Sequence, residues 1–102
     1  MTTKVLLSGV LVTGAGSTYG GPRGANTYQA TVAGAGAVTA AVVVEVSNDG
    51  SNWLTLGTIT LSGTTSASDG FAVGAGALWE FSRGNVTAIS GTGAAVTLTM
   101  AH

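Results

Sequence analysis

The stretch "VTAAVVVEVSNDGSNWLTLGTITL", residues 38–61, holds the pattern that decides the fold. Before the turn, small apolar residues occupy every second position: Val38, Ala40, Val42, Val44 and Val46. A period of two is typical of a strand with one face in a core. The following Asn48-Asp49-Gly50 favours a turn, because Asn and Asp adopt turn conformations and Gly supplies a positive φ. The stretch therefore predicts a β-hairpin.

The same turn could in principle bind a ligand, because Asn48, Asp49 and Asp69 could offer oxygens to calcium. A calcium site made only of protein needs about six or more oxygen ligands, several of them carboxylates. The turn chemistry therefore favours a structural role, with Trp53 starting the returning strand and packing beside Val44 and Val46. We predict no metal site and no cofactor.

Alternation continues along the rest of the chain, at residues 28–32, 79–82 and 96–100. Val and Thr dominate these runs and suit a pleated surface. Strands are predicted at 4–13, 27–33, 37–47, 52–61, 70–73, 77–83, 85–90 and 94–101, with no long helix. The whole chain, 1–102, is predicted to be one all-β domain. Short strands at this spacing favour a β-sandwich of about seven or eight antiparallel strands, in a jelly-roll or immunoglobulin-like arrangement.

Two predicted strands are irregular. The first is apolar on both faces, so one face could pack in the core and the other against a neighbouring chain. In the strand after Trp53, Leu54 and Leu56 share one face, whereas Ile59 and Leu61 fall on the other. A bulge at Gly57 would restore a single inward face, and the alternative is a strand covered on both sides.

Two glycine-rich segments, 14–25 and 62–76, are predicted to be long loops. Loops of more than about 12 residues in a compact domain tend to be functional or mobile. We therefore take them as the candidate contact elements. Their candidate protein-contact residues are Tyr19 and Arg23 in the first loop and Phe71 in the second.

Charge is scarce: 7% of the 102 residues are charged and the net charge is −1. Three basic residues are too few for nucleic-acid binding, which neutralises several phosphates. No stretch reaches the roughly 20 apolar residues of a membrane helix. We therefore predict that the chain binds neither nucleic acid nor a membrane. Either Thr, Ser and Gly cover the surface, or other subunits do. The shortage of charge favours the second, because a free monomer with few charges associates readily.

Catalytic residue types are almost absent. The chain has no cysteine, and its one histidine is His102, the last residue. Glu45 and Glu80 are predicted at outward strand positions, and Asp49 and Asp69 in turns, so no carboxylate pair is expected. We predict that the chain is not an enzyme and has no catalytic residue.

The second half carries a resemblance. The stretches "VEVSNDGSNWLTLGTITLSGTTSASDGF" (44–71) and "ALWEFSRGNVTAISGTGAAVTLTM" (77–100) resemble small β-sandwich structural proteins of tailed-phage virions. Those proteins pair an SNDG-x-x-W hairpin with a Trp-rich strand and a closing hairpin.

The resemblance implies a non-enzymatic virion protein, above all a capsid decoration or cement protein that bridges capsomers. Its partners would be the major capsid protein or other virion subunits. It would be a homo-oligomer, with trimers at local three-fold positions as one form, located in virions assembled in the host cytoplasm.

An alternative comes from the same hairpin, which looks like those of discoidin-type carbohydrate-binding sandwiches. The chain would then be a carbohydrate- or receptor-binding module of a tail fibre, or another neck or tail subunit. Sugar binding predicts Trp53 or Trp79 flat at the surface, whereas a purely structural role places both in the core.

Overall fold

The computed structural model describes residues 3–20, 26–74 and 79–101. Those residues form nine strands: β1 (Thr3–Val10), β2 (Gly14–Ala15), β3 (Tyr19–Gly20), β4 (Asn26–Ala33), β5 (Val38–Ser47), β6 (Leu54–Gly63), β7 (Ser66–Val73), β8 (Phe81–Ser90) and β9 (Ala95–Ala101). Within these described ranges there is no helix of the length and hydropathy needed to cross a membrane.

The strands make two antiparallel sheets. Sheet A has the order β1-β9-β4-β7, and sheet B has the order β2-β8-β5-β6, with β3 also pairing with β8. The two sheets pack face to face over one core, so the predicted all-β sandwich is confirmed.

Strand order distinguishes between the two predicted arrangements. Taken together, β2 and β3 act as one interrupted strand along β8, which gives eight strands in all. The first strand then pairs with the last, and the orders become 1-8-3-6 and 2-7-4-5, which is the jelly-roll connectivity. In an immunoglobulin fold the first and last strands belong to different sheets, whereas here β1 and β9 pair directly.

The core lies between the sheets and is built by the predicted alternation. On β5, the five apolar residues at even positions from Val38 to Val46 are at most 2% exposed. Facing them are Tyr28, Ala30 and Val32 of β4 and the inward side of β9. Burying each Val side chain is worth roughly 1.5–3 kcal/mol, so the buried valines of β5 are a main source of stability.

The first strand buries its apolar residues in an unexpected way. Leu6 and Leu7 are neighbours in sequence, yet both are 3% exposed, because the β1–β9 register shifts between Val5 and Leu7. Val5 is 46% exposed. β1 also ends at Val10, so the predicted strand 4–13 was too long, and Leu11 and Val12 are exposed outside it.

The predicted irregularity at Gly57 is confirmed as a bulge. The β5–β6 register shifts between Val44 and Glu45, and Leu56 is the extra residue. Ile59 and Leu61 therefore point into the core. Gly57 has a second role, since a Cβ there would lie 2.6 Å from the ring of Phe71.

Two predictions about glycine were wrong. The segment 62–76 is not a long loop, because β6 continues to Gly63 and β7 begins at Ser66. Asp69 therefore lies within a strand and not in a turn. The described parts of the predicted strands 77–83 and 85–90 belong to one strand, β8, which starts at Phe81 and runs through Gly84. Residues 75–78, on which the predicted loop 62–76 and strand 77–83 partly fall, lie outside the described residues. In the segment 14–25, β2 and β3 interrupt the predicted loop, and residues 21–25 lie outside the described residues.

Candidate functional site

The hairpin between β5 and β6 is held by hydrogen bonds of its own. The Asp49 carboxylate accepts the N–H groups of Ser51 (2.8 Å) and Asn52 (2.9 Å), the side-chain amide of Asn52 (2.7 Å) and the Ser47 hydroxyl (2.9 Å). Ser47 Oγ in turn accepts the N–H of Gly50, whose φ is 76°.

These bonds explain the charge state of the turn. The Asn52 N–H and side-chain amide, then the Ser51 N–H and the Ser47 hydroxyl, hold the pKa of Asp49 well below its usual range. Both carboxylate oxygens are already hydrogen-bonded within the turn. The geometry therefore matches the structural interpretation of SNDGSN, with Asp49 fixing the turn.

The described residues bring no set of metal-ligating side chains together. Among residues 3–20, 26–74 and 79–101, no three His, Cys, Asp or Glu side chains come together in a way that could hold a metal ion. His102 lies outside the described residues. The expectation that the chain uses no metal and no cofactor stays a prediction.

Trp53 forms part of a cluster on the outer face of sheet B. The centroid of its ring lies 4.1 Å from the guanidinium carbon of Arg83. Arg83 Nε in turn donates a hydrogen bond to Glu45 Oε1 at 2.8 Å. Glu45 and Arg83 are direct cross-strand neighbours on β5 and β8. The prediction that Trp53 packs beside Val44 and Val46 was wrong, because those valines point inward whereas Trp53 covers an outward-facing arginine.

The hairpin is also tied to the start of β8. Asn48 Oδ1 accepts the N–H of Glu80 at 3.2 Å, and Gly50 lies against the ring of Phe81. Trp79 is half-buried. Neither tryptophan belongs to the buried core, so the interpretation that placed both in the core was wrong.

The three candidate contact residues have different surroundings. Tyr19 is half-buried against the core, with Lys4 Nζ 5.5 Å from its ring centroid. Phe71 stacks on Tyr28 with a centroid distance of 5.2 Å. Arg23 lies outside the described residues. Tyr19 and Phe71 thus contribute to packing, and a contact role for any of the three stays a prediction.

Sequence reasoning missed several polar side chains that are buried in the sandwich. Asn26, Ser47 and Ser82 are at most 3% exposed. The Tyr28 hydroxyl is buried without a hydrogen-bond partner among the described side chains and backbone. Burial raises the pKa of Tyr28 to about 12, and the nearby Ser82 hydroxyl offsets part of that rise. The alternation predicted an inward Tyr28, but it placed Ser82 on the outer face with Glu80, which was wrong because Ser82 is fully buried. It gave no indication that Asn26 and Ser47 are buried.

Among the described residues, none on the outer face of sheet A is charged. The registers among β1, β9, β4 and β7 define the outward positions of sheet A. They are Thr3, Val5, Thr27, Gln29, Thr31, Ala33, Ser66, Ser68, Gly70, Ala72, Ala95, Thr97, Thr99 and Ala101. We call this set the A face. Thr31 and Ser68 hydroxyls bond across it at 2.7 Å.

Comparisons with protein-family models, with curated proteins and with solved structures found no match for this chain.

Proposed function

We propose that this chain is a non-enzymatic structural protein of a tailed-phage virion, a capsid decoration or cement protein that binds the major capsid protein and bridges capsomers. The A face is the surface that meets the capsid. The observation that carries the proposal is the absence of charge from this face.

Ordinary charge usage would place about three or four charged residues among its fourteen positions. The A face instead presents methyl groups, hydroxyls and one amide, with Val5 46% exposed. Small side chains allow close approach, and uncharged groups are desolvated at less cost than charged ones. Such a face suits burial against another protein better than exposure to water.

The size of the A face also fits a repeating partner. Four strands about 4.8 Å apart and roughly 7 residues long cover about 450 Å². A stable standalone interface needs about 800 Å² per partner. One copy would therefore bind weakly, and lasting attachment needs several linked copies on a lattice, where avidity multiplies the affinity of each contact.

The fold is compatible with this role by analogy alone. Jelly rolls occur in viral capsid proteins and also in lectins, and a fold does not by itself determine function. The choice between those roles rests on the surface chemistry.

The test is co-sedimentation of the purified chain with capsids of the phage that encodes it. Wild-type protein should saturate the capsids at a fixed stoichiometry. Thr27→Glu, on the A face, should weaken binding about tenfold or more, because it buries an unpaired charge. The matched control is Thr39→Glu on the outer face of sheet B, which should bind as wild type does. A well-folded wild-type protein that never sediments with capsids or tails would refute the proposal.

One observation favours a second function, carbohydrate or receptor binding in a tail fibre. Trp53 lies outside the core beside Arg83 and Glu45, so an aromatic ring and two hydrogen-bonding side chains meet on one surface. Sugars are commonly held by this combination of stacking and polar contacts. Arg83 covers one face of the Trp53 ring, so a sugar would stack on the opposite face.

Tryptophan fluorescence tests this second function. In a Trp79→Phe background, Trp53 is the single emitter, and a panel of neutral oligosaccharides should shift its emission saturably if the site binds sugar. Emission that stays constant across the panel would remove carbohydrate binding as a function of this cluster.

A further inference from the structure

β6 is the open edge of sheet B, and its chemistry is unusual for an edge. The strand reads LTLGTITLSG over ten residues and has neither a charged residue nor a proline. From Gly57 to Gly63 its register with β5 is uninterrupted. In the part of the chain that the structure describes, no backbone–backbone hydrogen bond outside the ladders uses β6.

The other sheet edges carry features that discourage strand pairing. β1 has two register shifts, a lysine at position 4 and Gly9 at a φ of 58°. β2 and β3 have two residues each. On β7, the Asp69 carboxylate accepts the N–H of Gly70 at 2.8 Å. Bulges, charges and short strands are the usual protections of edges, and the segment 58–63 of β6 has none of them.

We propose that β6 pairs with β6 of a second copy of this chain, antiparallel about a two-fold axis at Thr60. An edge strand offers backbone N–H and C=O groups, so its natural occupant is another extended strand. The uncharged strand lets two identical copies meet without like charges facing each other, a combination that destabilises cross-strand pairs.

The sequence of β6 fits this axis. With Thr60 opposite its own copy, Ile59 lies opposite Leu61, and Thr58 lies opposite Ser62. Ile59 and Leu61 are buried in the core, whereas Thr58, Thr60 and Ser62 are exposed. Apolar residues therefore meet apolar residues on the inner face, and hydroxyls meet hydroxyls on the outer face, as an isologous contact requires.

The pairing has a consequence for the A face. A two-fold axis perpendicular to the sheets joins the two copies of sheet B and leaves both A faces pointing the same way. The dimer then offers about 900 Å² of uncharged surface in one direction, twice the single-copy estimate. This consequence rests on the proposed function, but the dimer itself does not.

Cysteine cross-linking tests the axis directly, because the chain has no native cysteine. Cβ atoms of directly opposed residues lie about 4.5–5.5 Å apart, near the reach of a disulfide. Under mild oxidation, Thr60→Cys should give a covalent dimer. The matched control, Thr39→Cys, sits exposed on the same sheet face but on the interior strand β5, and should stay monomeric.

Charged substitutions at Thr60 give an independent test of the dimer, with association measured by analytical ultracentrifugation. Thr60→Lys and Thr60→Glu should each raise the dimer dissociation constant at least tenfold, and mixing them in equal amounts should restore association. Circular dichroism confirms that each variant is folded.

Three outcomes would overturn the dimer. They are a monomeric or trimeric wild-type protein, dimers unaffected by both charged variants, and a Thr60→Cys variant that stays monomeric under oxidation. All measurements use purified protein, so a failed dimer and a failed capsid association are distinguishable.

Discussion

At the residue scale, Asp49 shows how an exposed carboxylate can organise a turn. Its oxygens accept two backbone N–H groups, one side-chain amide and one hydroxyl, all from residues within three positions along the chain. Each of these bonds favours the ionised form. The charge on Asp49 is therefore linked to the folded hairpin.

Acid should weaken this link. Because the pKa of Asp49 in the folded chain is well below its ordinary value of 3.8, its contribution is present above pH 4 and is lost as pH falls below that. Asp49→Asn should melt at a lower temperature at neutral pH, and the difference from wild type should shrink toward pH 2. Thermal melts at each pH measure this. A difference that stays constant with pH would contradict the assigned bonds.

Tyr28 should make stability depend on pH in the opposite direction. Its pKa is raised to about 12 from 10.0, so the unfolded chain ionises first as pH rises. The contribution of neutral Tyr28 to the free energy of unfolding is therefore intact below pH 10 and is lost between pH 10 and 12. Tyr28→Phe should remove that loss.

At neutral pH, Tyr28→Phe should leave the free energy of unfolding unchanged or raise it by up to about 1 kcal/mol, because it removes an unpaired buried hydroxyl. Urea titrations of both proteins at pH 7, 10 and 11.5 give the comparison. Tyr19 is common to both, so the difference reports Tyr28 alone. A variant destabilised by several kcal/mol at pH 7 would mean that the hydroxyl has a strong partner.

Residue-scale prediction from sequence succeeded where the interactions are local. The turn at Asn48-Asp49-Gly50 could be predicted because its partners are adjacent in the chain. The position of Trp53 could not, because its partner Arg83 is thirty residues away and reaches it only through the pairing of β5 with β8. Cross-strand contacts between residues so far apart in the chain have no signal in a single sequence.

At the element scale, glycine was the main source of error. Gly84 looks like a strand break, yet it lies inside β8 because the Leu7 and Leu98 side chains fill the space where a Cβ would project. Only residues 70–73 of β7 were predicted as strand, because Ser, Ala and Asp, which fill the rest of it, are poor strand formers. Its full-length pairing with β4 outweighs that propensity.

Gly84→Ala tests the packing role of this glycine. The new methyl carbon would lie 2.6 Å from Leu98 Cδ2 and 2.7 Å from Leu7 Cδ1. Overpacking of this kind typically costs about 1–3 kcal/mol, so we expect a loss of that size in urea denaturation.

Gly20→Ala in β3 is the matched control for Gly84→Ala. The nearest atom to its new methyl, the Glu80 carbonyl oxygen, is 4.0 Å away. This change should be neutral or slightly stabilising, because alanine restricts the unfolded chain. Equal stability of the two variants would show that Gly84 is a tolerant position and that β8 does not pack as described.

At the scale of the whole molecule, the two outer faces differ in chemistry. The outer face of sheet B carries the Trp53, Arg83 and Glu45 cluster, whereas the A face carries no charge. The alternation in the sequence predicted the outward residues of β4, β5 and β9. It did not predict those of β7, most of which fell in the predicted loop 62–76, or those of β8, where it put the buried Ser82 on the outer face. The jelly-roll order assembles those faces, and it could not be chosen over the immunoglobulin order from one sequence, because strand pairing is set by contacts distant along the chain.

This asymmetry leads to a prediction about capsid binding. If the A face is the contact, association with capsids owes little to charge, because the seven charged residues are few and none of the six described ones lies on that face. Raising sodium chloride from about 0.05 to 0.5 M shortens the Debye length severalfold, yet should change the capsid dissociation constant less than threefold. Thr27→Lys should bind weakly at both salt concentrations, because the cost is desolvation of its ammonium group. Wild-type affinity that falls tenfold or more with salt would place the contact on the charged face of sheet B instead.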